Sequence, residues 1–90
     1  MQRAHIVIYG IVQGVFFRSN AKKVAETLGL NGYARNMADG SVEVVVEGPE
    51  AKIKELIEFC KKGPRAARVD KVDVYIEEAG NESDGFEVRH

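Results

Sequence analysis

The residues with the clearest capacity for chemistry lie in one short stretch, Gly10-Ile11-Val12-Gln13-Gly14-Val15-Phe16-Phe17-Arg18. It joins an apolar run, Ala4 to Tyr9, to an amphipathic run that begins near Ser19, the pattern of a loop between a strand and a helix. Two glycines, Gly10 and Gly14, let the backbone turn tightly and come close to a ligand. The helix that follows would present unpaired N–H groups and the positive end of its dipole to the loop. Arg18 adds a permanent cation whose forked donors match a phosphate or a carboxylate. These three sources of positive potential make a site for an anion, although the same spacing is equally compatible with a solvated arginine at a helix start. The stretch has neither the Gly-Lys-Ser/Thr of a P-loop nor the Gly-x-Gly-x-x-Gly of a dinucleotide-binding turn. Nucleotide binding is therefore not favoured.

Fewer readings attach to the other reactive side chains. Cys60 is the only cysteine, which precludes an internal disulfide and is compatible with a reducing compartment. It ends the apolar series Ile53, Leu56, Ile57, Cys60, and neither His5 nor His90 has the context of a catalytic partner, so the thiol is expected to pack in the core. Two histidines and one cysteine show no metal-ligand spacing. No metal and no other cofactor is expected. Asn36, just ahead of Asp39-Gly40, reads by itself as a turn residue.

The elements that must position these groups follow from hydrophobic period. Ile6, Val7 and Ile8 form a near-continuous apolar strand covered on at least one face. Phe17, Ala21, Val24, Ala25 and Leu28 recur at helical spacing, with Lys22, Lys23 and Glu26 on the other side and Gly29 as the stop. Of the aromatic pair, Phe16 and Phe17 could both line a pocket, but Phe17 continues the apolar helix face and is expected in the core. A second strand, about Gly32 to Asn36, turns through Asp39-Gly40 into a third, where Val42, Val44 and Val46 alternate with Glu43, Val45 and Glu47. Gly48-Pro49 opens a second helix whose charges, Glu50/Lys54 and Lys54/Glu58, would pair along a solvated face. After Gly63-Pro64 comes a fourth strand, with Val72, Val74 and Ile76 alternating with Asp73, Tyr75 and Glu77. The polar stretch Ala79 to Asp84 is expected to turn the chain into a short last strand holding Phe86 and Val88. The order predicts an α+β fold, a ferredoxin-like βαββαβ sandwich with a mainly antiparallel sheet and two helices on one face.

Composition narrows the setting. The chain has 90 residues, 44% hydrophobic and 30% charged, ordinary values for one small globular domain, here spanning residues 1–90. Thirteen basic and fourteen acidic residues leave a formal net charge of −1, so nothing draws the whole molecule to nucleic acid or to an anionic membrane. No apolar run approaches the ~20 residues of a membrane span, and Met1-Gln2-Arg3-Ala4 does not open a signal peptide. A cytoplasmic monomer is expected.

The segment Ile8-Tyr9-Gly10-Ile11-Val12-Gln13-Gly14-Val15-Phe16-Phe17-Arg18 closely resembles the phosphate-loop signature of the acylphosphatases. The similarity continues through Gly29-Leu30-Asn31-Gly32-Tyr33-Ala34-Arg35-Asn36, Asp39-Gly40-Ser41-Val42-Glu43, Gly48-Pro49, Gly63-Pro64 and Gly85-Phe86-Glu87-Val88-Arg89. It therefore spans essentially the whole chain. The resemblance implies hydrolysis of the carboxyl-phosphate bond of small acyl phosphates, with the phosphate bound by Gln13, Gly14, Val15, Phe16, Phe17 and Arg18. Arg18 and Asn36 would be the catalytic pair, Asn36 orienting the attacking water. Three positions depart from the family pattern: Tyr33 where tryptophan is frequent, Ala21 where threonine is common, and Met37 where a hydroxyl residue often sits. The last two lack the hydroxyls that could support the site residues by hydrogen bonds. The alternatives are a non-catalytic or carbamoyl-phosphate-binding module of the same family, as found in a hydrogenase maturation protein, and an RNA-binding sheet. The second would need exposed aromatics and a basic surface, and neither is evident.

Overall fold

The computed structural model describes residues 1–80 and 84–90. In chain order the elements are β1 (Gln2–Ile11), α1 (Phe17–Thr27), β2 (Asn31–Asn36), β3 (Val42–Gly48), α2 (Glu50–Lys62), β4 (Arg68–Glu78) and β5 (Phe86–Arg89). The predicted order is borne out, with α1 starting two residues earlier than Ser19. The turn expected over Ala79 to Asp84 lies partly outside the described residues.

The five strands form one sheet in the order β4-β1-β3-β2-β5. Neighbours run antiparallel except β2 and β5, which are parallel. Side-chain alternation along each strand then assigns the two faces. Ala4, Ile6 and Ile8 of β1 stand opposite Val46, Val44 and Val42 of β3. Together with Ala34 and Phe86 they meet Phe17, Ala25, Ile53, Leu56 and Cys60 of the helices in one core. Phe17 packs at 5.7 Å from Phe59 between ring centres, so the expectation that it is core holds. Burial of such a side chain contributes about 2–3 kcal/mol.

Helix α1 ends as its sequence suggests. The Leu30 N–H reaches back to the Ala25 carbonyl at 2.9 Å and the Gly29 N–H to that of Glu26 at 3.1 Å, the paired closure that satisfies the last carbonyls of a helix. Leu30 then inserts into the core. In α2, Lys54 pairs with Glu50 at 3.4 Å as expected, whereas Glu58 pairs with Lys61 at 3.3 Å rather than with Lys54. Cys60 is fully buried, and burial pushes its thiol up to about 12. The packing role expected of it is what the structure shows.

Two strands differ from a simple inside-outside reading. All seven residues of β3 are buried, because β3 is the middle strand and even its helix-free face is covered by neighbouring side chains. Glu43, only 5% exposed, lies between His5 Nε2 at 2.6 Å and Arg35 Nε at 2.6 Å. Glu47 accepts from the Gly80 N–H at 2.6 Å. A carboxylate tolerates such burial only with partners of this kind. In β4, by contrast, Val74 and Ile76 point to the helix side yet remain exposed, Ile76 at 53%, because the strand is at the sheet edge and an open groove lies between them and Ile53 and Ile57 of α2.

Candidate active site

The segment after β1 is built to leave backbone donors free. At Gly10 the pairing of β1 with β4 shifts by one residue. Its φ is +136°, and a Cβ there would stand 2.1 Å from the Arg68 carbonyl oxygen. Beyond it, Gly14 has φ +75° and Phe16 φ +63°, with no positive φ at the residues between and beside them. This alternation curls successive N–H groups toward one concave side, a backbone shape that binds anions. Among the described residues, no carbonyl or side chain accepts a hydrogen bond from the N–H groups of Gly14 through Ser19. Helix α1 has no side-chain cap and no acidic residue in its first turn, so the positive end of its dipole stays uncompensated.

Phe16 is the only non-glycine residue with positive φ among those described, a conformation that a bulky side chain adopts at a cost of about 1–2 kcal/mol. Three donors hold its carbonyl: the Asn20 N–H at 3.1 Å, the Asn20 side-chain amide at 2.8 Å and the Ser19 hydroxyl at 3.1 Å. The Phe16 ring is 77% exposed. It stands at the mouth of the cleft while Phe17 anchors the helix beneath.

A cleft of about 310 Å³ opens on this loop, lined by Val12, Gly14, Phe16, Phe17, Arg18, Ser19, Asn36, Val88 and His90. The structure thus brings Arg18 and Asn36, distant in sequence, to one cavity, with Gly14, Phe16 and Phe17 of the predicted phosphate loop. Gln13 and Val15 do not line it. Val15 packs against the core, and the Gln13 amide donates to the Met37 carbonyl at 2.8 Å and the Ser41 carbonyl at 2.9 Å. Gln13 therefore ties the loop after β1 to the β2–β3 turn that follows Asn36.

That turn is held from within. The Met37 N–H donates to the Ser41 carbonyl at 2.8 Å, and Asp39 Oδ1 accepts from the Ser41 hydroxyl at 2.6 Å and the Ser41 N–H at 2.9 Å. The two Ser41 bonds hold the Asp39 carboxyl below its usual range, the hydroxyl contributing most. Met37 serves through its backbone, so the missing hydroxyl there leaves this turn intact. Ala21 is fully buried on the inner face of α1. Among the described residues the Asn36 side chain makes no hydrogen bond to protein, which leaves its amide available in the cleft.

Arg18 is held by the end of β5. Its Nη1 donates to the Arg89 carbonyl at 2.7 Å and lies 3.4 Å from His90 Nδ1. The Arg89 guanidinium in turn stacks 3.6 Å above the Tyr33 ring and its Nε donates to Glu87 at 2.5 Å, so the aromatic at position 33 fixes the strand on which Arg18 rests. Sequence reasoning missed Val12, Ser19, Val88 and His90 as cleft residues. The parallel register, Arg35 opposite Arg89, carries His90 beside Asn36, and no local sequence signal encodes that neighbour.

Comparisons with known proteins agree with this geometry. The acylphosphatase family model matches residues 4–88. An acylphosphatase of Caldivirga maquilingensis is 51% identical over 89 residues, covering 98% of this chain and 94% of the relative. Among solved structures, an acylphosphatase from Bacillus subtilis superposes with a TM-score of 0.96 at 30% identity, covering all of both chains. Full-length HypF in a phosphate- and nucleotide-bound form matches with a TM-score of 0.84 at 28% identity, the whole of this chain against 12% of that one.

Proposed function

This chain belongs to the acylphosphatase family and is a hydrolase of that type, acting on small acyl phosphates; we propose that its phosphate loop and Arg18 hold the phosphoryl group while Asn36 orients the attacking water. The observation that carries this assignment is that Gly14, Phe16, Phe17, Arg18 and Ser19, whose N–H groups are unpaired among the described residues, line one cleft together with the Arg18 guanidinium and the free Asn36 amide. An acyl phosphate is a mixed anhydride with a stable carboxylate as leaving group, so its hydrolysis needs charge stabilisation and positioning rather than a strong acid. Water attacks phosphorus, the bond from phosphorus to the carboxylate oxygen breaks, and carboxylate and inorganic phosphate leave. The loop N–H groups and Arg18 follow the phosphoryl oxygens as their charge redistributes in the transition state. Asn36 can accept from water and donate to an oxygen but is no base near neutral pH, so the water's proton goes to the phosphoryl group itself.

Gln13 and Val15 enter this assignment through the backbone, as part of the curved loop, and not through their side chains. The charge role that a metal ion often fills is met here by Arg18 and the N–H groups, so turnover is expected to persist in excess chelator. Loss of activity in chelator, restored by one defined metal, would overturn that point. We further propose a monomer in a reducing cytoplasmic compartment, with no nucleic-acid partner. The β4 edge carries Arg68–Asp70 and Lys71–Asp73 pairs, which discourage edge-to-edge pairing. The helix-free sheet face mixes both signs of charge around Glu43 and Glu47. Among the described residues no helix is long and apolar enough to cross a membrane.

The test is turnover of benzoyl phosphate and acetyl phosphate by the purified chain and two variants. Arg18→Ala is expected to weaken inhibition by inorganic phosphate and to slow the chemical step. Asn36→Ala is expected to leave phosphate inhibition nearly unchanged while kcat drops by roughly 10²- to 10³-fold, the loss typical of one preorganised polar contact. A folded Asn36→Ala protein that turns over at the parent rate removes Asn36 from the mechanism.

A further inference from the structure

The imidazole of His90 lines the cleft, and the family-based assignment gives it no task. Its Nδ1 lies 3.4 Å from Arg18 Nη1, the same nitrogen that donates to the Arg89 carbonyl at 2.7 Å. A guanidinium has donors only. A hydrogen bond between the two requires that the ring nitrogen offer its lone pair, in the neutral tautomer with its proton on Nε2. Protonation places an N–H on Nδ1 and a second cation against the first, an arrangement that is relieved when an anion enters the cleft and is shared by both.

We propose that His90 is a binding residue at the phosphoryl end of the cleft, its imidazole adding a second, proton-dependent cation beside Arg18. The proposal presupposes that Arg18 and the loop form the phosphate site. The other charged or titratable groups on the elements packed against β5 are Lys22, Lys23 and Glu26 on α1 and Tyr33 and Arg35 on β2; Arg35 is paired with Glu43 and Tyr33 is stacked under Arg89. On its own strand Glu87 is paired with Arg89. Histidine is the side chain whose ordinary charge change falls between about pH 5 and 8, and His90 is the one histidine that lines the cleft. Because a proton on His90 and an anion in the cleft favour one another, each must raise the affinity for the other by the same factor.

Sulfate is the appropriate probe, since it keeps its double negative charge throughout that range while phosphate does not. Its affinity is measured from the backbone amide shifts of Gly14 to Arg18 at pH 8 and pH 5, at one ionic strength. Sulfate is expected to bind about three- to tenfold more tightly at pH 5, the effect of one unit charge a few ångströms from a dianion through water. His90→Gln should bind at both pH values with the weaker affinity, and His90→Lys, positive throughout, with the tighter one at both. The other histidine, His5, sits on the opposite sheet face against Glu43, and neither variant alters it. A parent protein without pH dependence, or a His90→Gln protein that keeps it, overturns the role of His90 while leaving the phosphate site standing. Sulfate that moves no amide from Gly14 to Arg18 at either pH removes the site itself, and the role of His90 with it.

Discussion

At the scale of single residues, the cleft stores strain where the ligand is expected. Phe16 adopts φ +63° with its ring 77% exposed, so it forgoes burial and occupies a backbone region that favours glycine. Phe16→Gly is expected to raise stability by about 1 kcal/mol, because strain is relieved and little packing is lost. The same change should raise KM for benzoyl phosphate, since the loop is no longer preset; urea unfolding and steady-state kinetics read the two effects. A stability loss instead would show that the exposed ring packs more than its accessibility suggests. Arg18 is bound by geometry as well as charge. Arg18→Lys should remain severely impaired, because an ammonium cannot both rest on the Arg89 carbonyl and present a two-pronged donor edge to a phosphoryl group.

Between elements, the decisive link is Gln13, whose one amide joins the loop after β1 to both ends of the turn between β2 and β3. Removal of two part-buried hydrogen bonds costs about 1–3 kcal/mol. Gln13→Ala is therefore expected to lower stability by that amount and to speed hydrogen exchange at the Met37 and Gly40 N–H groups, which close the turn. Its kcat should fall by a larger factor than its KM changes, since Asn36 loses its register while the loop donors remain. Equal and opposite changes in the two would refute the tether. Gly10→Ala tests the exit from β1: with φ +136° and a Cβ 2.1 Å from the Arg68 carbonyl oxygen, it should cost about 3 kcal/mol. Thermal unfolding should move down by roughly 10 °C or more for a domain of this size.

For the whole molecule, the buried thiol links folding to alkaline pH. Cys60 is pushed from 9.0 up to about 12 by burial, so the folded state keeps a proton that the unfolded chain releases. Its contribution is fully present below pH 9 and is lost as pH rises toward 12, at about 1.4 kcal/mol per pH unit for one proton. Denaturant unfolding from pH 8 to 11 should show this slope, and Cys60→Val, which has no proton to lose, should show a shallower one. Identical slopes would mean that Cys60 is reached by water in the folded state. The thiol should also resist modification by a disulfide reagent until the chain unfolds.

Local chemistry carries much of this protein in its sequence. The periods of 2 and 3.6 in the apolar residues, the Asp39-Gly40 turn and the Gly29 and Gly63 stops specify the elements and their order, because each depends on residues close in the chain. The run from Gly10 to Arg18 likewise specifies a tightly turning loop that leads into a helix start with unpaired donors, since those donors are its own backbone and the next side chain. Tertiary structure alone decided what each element meets. The central place of β3 buried Glu43 and Glu47 against partners from β1, β2 and the segment after β4, and the edge position of β4 left Val74 and Ile76 in water. The parallel docking of β5 on β2 brought the Arg89 carbonyl to Arg18 and the His90 ring into the cleft. Such neighbours come from strands far apart in the chain, and their register is set by packing of the whole sheet, which no local pattern encodes.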